Sequence, residues 1–164
     1  MSRYLIIDGY NAINKIVQLE AKSDVSLETA RMSFIQMLKN FMTHKDIFDK
    51  IFIVFDSSQN ELGVRRHSYG DIEALFIADD KDADSFIVDM LRGADPSDKI
   101  SVCSDDNFVR NHSKVFGRDV ISVSELEEIM LKENSSRSTI NIRGLDRDRI
   151  GEINEELKKH WRLT

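Results

Sequence analysis

The chain has 164 residues, of which 41% are hydrophobic and 32% charged, the ordinary make-up of a soluble globular protein with one core. Its formal net charge of −6, from 29 acids against 23 bases, excludes a simple cationic coat for nucleic acid. A nucleic-acid partner therefore requires that the acids gather where a metal ion neutralises them. No apolar run reaches the roughly eighteen residues of a transmembrane helix, MSRYLIID lacks the layout of a signal peptide, and the one cysteine, Cys103, allows no intramolecular disulfide. A cytoplasmic protein without a membrane partner is expected.

Five apolar runs read as strands in chain order: RYLIID (3–8), KIFIVFD (50–56), IEALFIADD (72–80), KISVCSDD (99–106) and RDVISVS (118–124). Helical patterns separate them. Ser26 caps a helix to about His44, with Leu27, Ala30, Phe34, Leu38, Phe41 and Met42 on one face. A second helix starts near Asp82 and stops at Gly93 and Pro96, and a short one spans Asp106 to His112. Ser124 with Glu127 offers a capping box to ELEEIMLKE. GVRRHSYGD (63–71) reads as a loop, and NSSRSTINIRG (134–144) as a polar linker or extended arm. A last helix follows, with Ile150, Ile153, Leu157 and Trp161 on one stripe. Strands alternating with helices imply a three-layer α/β/α sandwich around a mostly parallel sheet, plus the C-terminal helix.

In such a sheet the site lies outside the carboxyl ends of the strands, and this chain places acids there. Strand one ends in Asp8 and strand two in Asp56. Strand four ends in Ser104, Asp105 and Asp106, and the helix after strand three begins with Asp82 and Asp84. Singly, each has a simpler reading as a turn former or helix cap. Together they predict a crevice of four or more carboxylates, which repel one another and raise one another's pKa values unless a divalent cation sits among them. Oxygen-only donors suit Mg²⁺ or Mn²⁺, ions that activate water and stabilise charge on a phosphate in transit.

Four pieces carry a resemblance: DGYN (8–11), VFD (54–56), DADSFI (82–87) and VCSDDNFV (102–109). In order and spacing they resemble the NYN-domain family of PIN-like ribonucleases, in particular its YacP-like branch, over residues 3 to about 131. The resemblance implies a nuclease domain over 1–133, leaving 134–164 as linker and C-terminal helix. It implies a metal-dependent endoribonuclease hydrolysing RNA, mRNA or rRNA, with the ribosome as a large partner that could present it. Carried over, Asp8, Asp84 and Asp105 are metal ligands, and Asp56 completes the catalytic cluster. Asn11 orients Asp8 or touches a phosphate, Ser104 bonds a carboxylate or phosphate, and Asp82 and Asp106 support. Asp79, Asp80, Asp82 and Asp84 crowd one turn, where Asp84 is preferred because it follows Ala83, and Asp106 competes with Asp105 in the other, where Asp105 is preferred because it follows Ser104.

An acidic protein needs local bases to hold RNA. Arg65 and Arg66 in the 63–71 segment, and Arg110 and Lys114 past the Ser-Asp turn, are the candidates for phosphate contacts. Gly9 is expected to permit a tight turn that exposes Asp8. A different class, a non-catalytic RNA-binding adaptor on the same fold, fits the same residues without turnover. A receiver or phosphatase fits worse: no lysine closes a strand as a receiver needs, and Tyr10 stands where such a phosphatase would carry a second aspartate. Nothing in the sequence fixes an oligomeric state.

Overall fold

A computed structural model describes residues 2–16, 22, 26–44, 46–56, 64–78 and 82–140, with the backbone alone at 64 and 132–140. Among these residues eleven elements follow in order: β1 (Arg3–Asp8), α1 (Gly9–Lys15), α2 (Leu27–His44), β2 (Lys50–Asp56), β3 (Val64–Tyr69), β4 (Ile72–Ile77), α3 (Ala83–Gly93), β5 (Lys99–Cys103), α4 (Asn107–Val115), β6 (Asp119–Ile121) and α5 (Val123–Ile140). The six strands form one sheet in the order β3-β4-β2-β1-β5-β6. All neighbours are parallel except β3 against β4. This is the mixed α/β sandwich expected from the alternation of strands and helices.

Strand periodicity sorts the core into two layers. Leu5 and Ile7 of β1 and Ile51, Ile53 and Phe55 of β2 pack with α1, α2 and α5, through residues such as Ile13, Phe34, Leu38, Leu126 and Ile129. Ile6, Val54, Leu75 and Val102 point to the other face, against Ala83, Ile87 and Leu91 of α3 and Val109 of α4. The chain leaves β1 toward β2 over the first face and crosses from β4 to β5 by α3 on the second. β1 therefore marks the point where the crossovers part, and Asp8 ends β1 at that point.

Several local expectations are corrected. The segment read as a loop at 63–71 contains β3, an antiparallel edge strand joined to β4 by a two-residue turn, with Gly70 at φ +68°. Such a turn needs a positive φ that glycine adopts without steric cost. The third and fourth predicted strands end at Ile77 and Cys103, short of the acids that follow. Gly9 begins α1 directly after β1, and the tight turn expected to expose Asp8 leaves that residue buried. The requirement for glycine is closeness: a Cβ at Gly9 would lie 2.4 Å from two ring carbons of Phe55 and 3.0 Å from the Val54 carbonyl oxygen.

Capping follows the sequence at Ser26, whose Oγ accepts the Thr29 N–H at 3.0 Å. In α5 the box is shifted two residues from the expected one. Ser122 Oγ accepts the Glu125 N–H at 3.0 Å and Glu125 Oε2 accepts the Ser122 N–H at 3.2 Å. α5 runs on to Ile140, so 134–140 is helical where a linker was expected. The helix predicted after 144 lies outside the described residues. No helix among the described residues is long and apolar enough to cross a membrane.

Candidate functional site

Asp8 and Asp56 end neighbouring strands two residues apart in register, since Asp8 pairs with Val54. With Tyr4, Ile6, Phe52 and Val54 they share the sheet face that α3 covers. α3 begins over them. The Asp56 Oδ1 accepts the Ala83 N–H at 2.6 Å, and Asp82 caps the helix by accepting the Ser85 N–H at 2.8 Å. Those two contacts aim Asp84, in the first turn, at Asp8, with which it shares a side-chain hydrogen bond.

The electrostatics follow from this packing. Asp8 is only 7% exposed. Burial first, then the charge of Asp84 and the hydrogen bond with it, push the Asp8 carboxyl up to about 7, with the charge of Asp56 adding and the Ser104 hydroxyl opposing. Asp84 is also raised, by burial and by the charges of Asp106, Asp82 and Asp56, while its bond to Asp8 works the other way. Raised together, the two carboxyls keep protons at pH values where an ordinary aspartate has lost them. The Ser85 N–H keeps the Asp82 carboxyl below the usual range, so it acts on Asp84 as a fixed negative charge.

The turn after β5 supplies the other side. Ser104, wholly buried, donates its hydroxyl to Asp8 Oδ2 at 3.3 Å and accepts the Asp106 N–H at 3.1 Å. Asn11 Oδ1 accepts the Asp105 N–H at 3.1 Å, so Asn11 positions this turn. The two adjacent acids part company. Asp105 Oδ2 pairs with Lys15 Nζ at 2.8 Å, and its Oδ1 accepts the Val123 N–H at 3.0 Å. Although burial opposes it, those contacts hold the Asp105 carboxyl below the usual range. Asp106 caps α4 by accepting the Val109 N–H at 3.1 Å and is the acid of this turn whose charge acts on Asp84. The structure thus gathers Asp8, Asp84, Asp56 and Asp106, and turns the Asp105 carboxylate toward α1 and α5.

The predicted bases are not gathered together. Arg110 Nη1 donates to the Ser104 carbonyl at 3.0 Å and so braces the turn. Lys114 lies exposed further along α4. Arg65 and Arg66 point to opposite faces of β3. Arg66 is drawn to Glu73, a buried acid of β4 that Lys50 also pairs at 2.8 Å. Its Nε lies 3.3 Å from Glu73 Oε2, close enough for charge but misaligned for a hydrogen bond, which that oxygen lacks. Sequence reasoning missed Lys15, which lies four residues after Asn11 and so on the same face of α1. The signal was that spacing, and it needed α1 to be recognised as a helix.

Could a cation sit here? The donors are all oxygens, and the charges of neighbouring acids add to burial in raising Asp8 and Asp84, so the donor chemistry fits a hard divalent ion. Among the described residues no three His, Cys, Asp or Glu are positioned as ready ligands.

A family model described as the YacP-like NYN domain matches residues 5–162, nearly the whole chain and well past residue 133. Two solved structures of Rae1 (YacP) from Bacillus subtilis are similar. The first, a tryptophan-to-leucine variant, has a TM-score of 0.66 and 22% identity, over 81% of this chain and 77% of that one. The second has a TM-score of 0.65 and 20% identity, over 95% of this chain and 90% of that one. At these identities the likeness is one of fold. No curated protein matches the sequence.

Proposed function

This chain belongs to the YacP-like NYN domain family, and from that membership and its carboxylate crevice we propose that it is a metal-dependent endoribonuclease hydrolysing RNA phosphodiester bonds. The observation that supports this most is the set of carboxylates Asp8, Asp56, Asp84 and Asp106 at the crossover point of the sheet, held there by the Ser104–Asp8 bond and by the contacts that start α3 and α4. A nuclease-type fold explains why a protein would keep such mutually repelling acids together: a cation replaces the protons they keep. Asp8, Asp84 and one acid of the 105–106 turn would hold Mg²⁺ or Mn²⁺. When bound, such an ion activates water and offsets charge on the phosphate.

The chain's own residues do the positioning. Ser104 fixes one oxygen of Asp8. Asp56 and Asp82 set the start of α3 and hence the reach of Asp84. Asn11, Lys15 and Arg110 hold the 104–106 turn against the crevice. Arg65, Arg110 and Lys114 are the proposed phosphate contacts, while Arg66, drawn to Glu73 on the other face of β3, is left out of that set; the substrate is mRNA or rRNA, with the ribosome as the partner that presents it.

The test is cleavage of a labelled RNA with and without Mn²⁺. Asp8→Asn and Asp84→Asn should each lower the metal-dependent rate by about 100-fold or more, given that even outer-shell changes at metal sites cost roughly 10- to 100-fold. Binding without cleavage by the parent protein, and no rise of its melting temperature with Mn²⁺, would instead identify a non-catalytic adaptor.

A further inference from the structure

We propose that single-stranded RNA reaches the crevice across the α2 face of the β3–β4 edge, where Arg31, Arg65 and His67 surround the ring of Phe76. The proposal rests on the reading of the crevice as an RNA site and adds the path of the strand. Along β3 the side chains alternate, so Arg65 and His67 lie on the α2 face and Arg66 on the α3 face. The Arg65 guanidinium carbon stands 5.5 Å from the centre of the Phe76 ring, and the His67 ring meets it edge-on at 5.5 Å. From α2, Arg31 approaches the same ring at 5.4 Å.

The ring is a rigid platform. It stacks on buried Phe55 at 5.3 Å with an interplanar angle of 21°, and Tyr10 packs on Phe55 at 5.0 Å. Arg31 Nη1 donates to the Tyr10 hydroxyl at 2.9 Å, so among the described residues its partners are that neutral hydroxyl and the ring. Two guanidinium groups and a histidine therefore converge on one partly exposed aromatic in a protein of net charge −6.

Place and chemistry agree. Arg65 is opposite Phe76, one step from the Ile77 that pairs with Asp56 at the carboxyl edge. Two strand spacings put β3 about 10 Å from the strand that Asp56 ends. Tyr10, two residues past Asp8, joins the platform to the crevice. Guanidinium groups take phosphate oxygens through paired hydrogen bonds, and unstacked bases lie on aromatic faces. A duplex keeps its bases stacked inside and would leave Phe76 unused. An acidic peptide would engage the arginines without the ring.

The experiment measures fluorescence anisotropy of a labelled oligouridylate of about 12 nucleotides, within the usual site size for single strands, with the full chain in EDTA. Arg31→Ala and Arg65→Ala should each raise Kd about fivefold and reduce the slope of log K against log salt by about one, between about 50 and 200 mM KCl. Phe76→Leu should weaken binding about fivefold without changing that slope. Arg66→Ala, on the opposite face, should stay within about twofold of the parent. Circular dichroism melts check folding, and Arg65 at the sheet edge serves as the test independent of the Arg31–Tyr10 bond. No binding by the parent, an Arg66→Ala loss equal to that of Arg65→Ala, or displacement of the oligonucleotide by equal charge of polyglutamate overturns the path. Binding that depends on Arg31 and Arg65 without any Mn²⁺-dependent cleavage leaves the path standing and removes the nuclease. Cleavage lost in Asp84→Asn, but with parent Kd in Arg31→Ala and Arg65→Ala, does the reverse.

Discussion

Asp8 carries the clearest pH signature. Its folded pKa is raised to about 7 from an ordinary 3.8, so the folded state holds a proton that the unfolded state has released. Its contribution is unpenalised below about pH 4 and is lost as the pH rises to about 7. Asp84 shifts the same way. In denaturant titrations without metal, Asp8→Asn should be on the order of 1–2 kcal/mol more stable than the parent at pH 7.5 and equal to it at pH 4. A parent that gains stability relative to the variant over that range would contradict the raised Asp8 carboxyl. Gly9→Ala should cost about 1–3 kcal/mol, because its methyl group must displace the Phe55 ring in a closed core. Asp8, Asp56 and Asp84 were legible in the sequence because strand parity and a helix's first turn fix where such residues point. Choosing between Asp105 and Asp106 was not, because that depends on what α1 and α5 offer the turn. Asp106→Asn keeps a good N-cap and should leave stability within about 0.5 kcal/mol. Asp105→Ala removes the acceptor of the Val123 N–H and the partner of Lys15, and should cost about 1–2 kcal/mol.

Element boundaries show the same division between local signals and packing. SVSELEE contains two capping boxes in two registers, Ser122 with Glu125 and Ser124 with Glu127. Burial of Val123, Leu126, Ile129 and Met130 selects the first, which also leaves the Val123 N–H facing Asp105. Ser122→Ala should therefore lower stability by about 1 kcal/mol in denaturant titrations, and Ser124→Ala, at an exposed position, by less than about 0.5 kcal/mol. The β3–β4 hairpin had a readable sign in Gly70-Asp71, a two-residue turn between YGDI flanks, but the charged RRHS run obscured a strand. An edge strand tolerates that composition, and charge there discourages pairing with another chain. α1 stayed hidden because seven residues give less than two full repeats of a helical stripe.

At the scale of the molecule, alternation of strands and helices was enough to anticipate the layered sheet, yet not the strand order. The place of β4, between β2 and an antiparallel β3, is set by pairings between strands apart in the sequence, a property of the whole chain. The consequence is functional: the order puts β1 between β2 and β5, so the ends of the three strands and the start of α3 meet at Asp8. The central claim is that Asp8 and Asp84 exchange the protons they keep for a divalent cation. Anomalous diffraction from a crystal of this chain soaked in Mn²⁺ tests it directly. The account predicts a Mn²⁺ peak between Asp8 and Asp84, with an oxygen of the 105–106 turn beside it. An Asp8–Asp84 pair still hydrogen-bonded at saturating Mn²⁺, or a peak bound elsewhere, would contradict it.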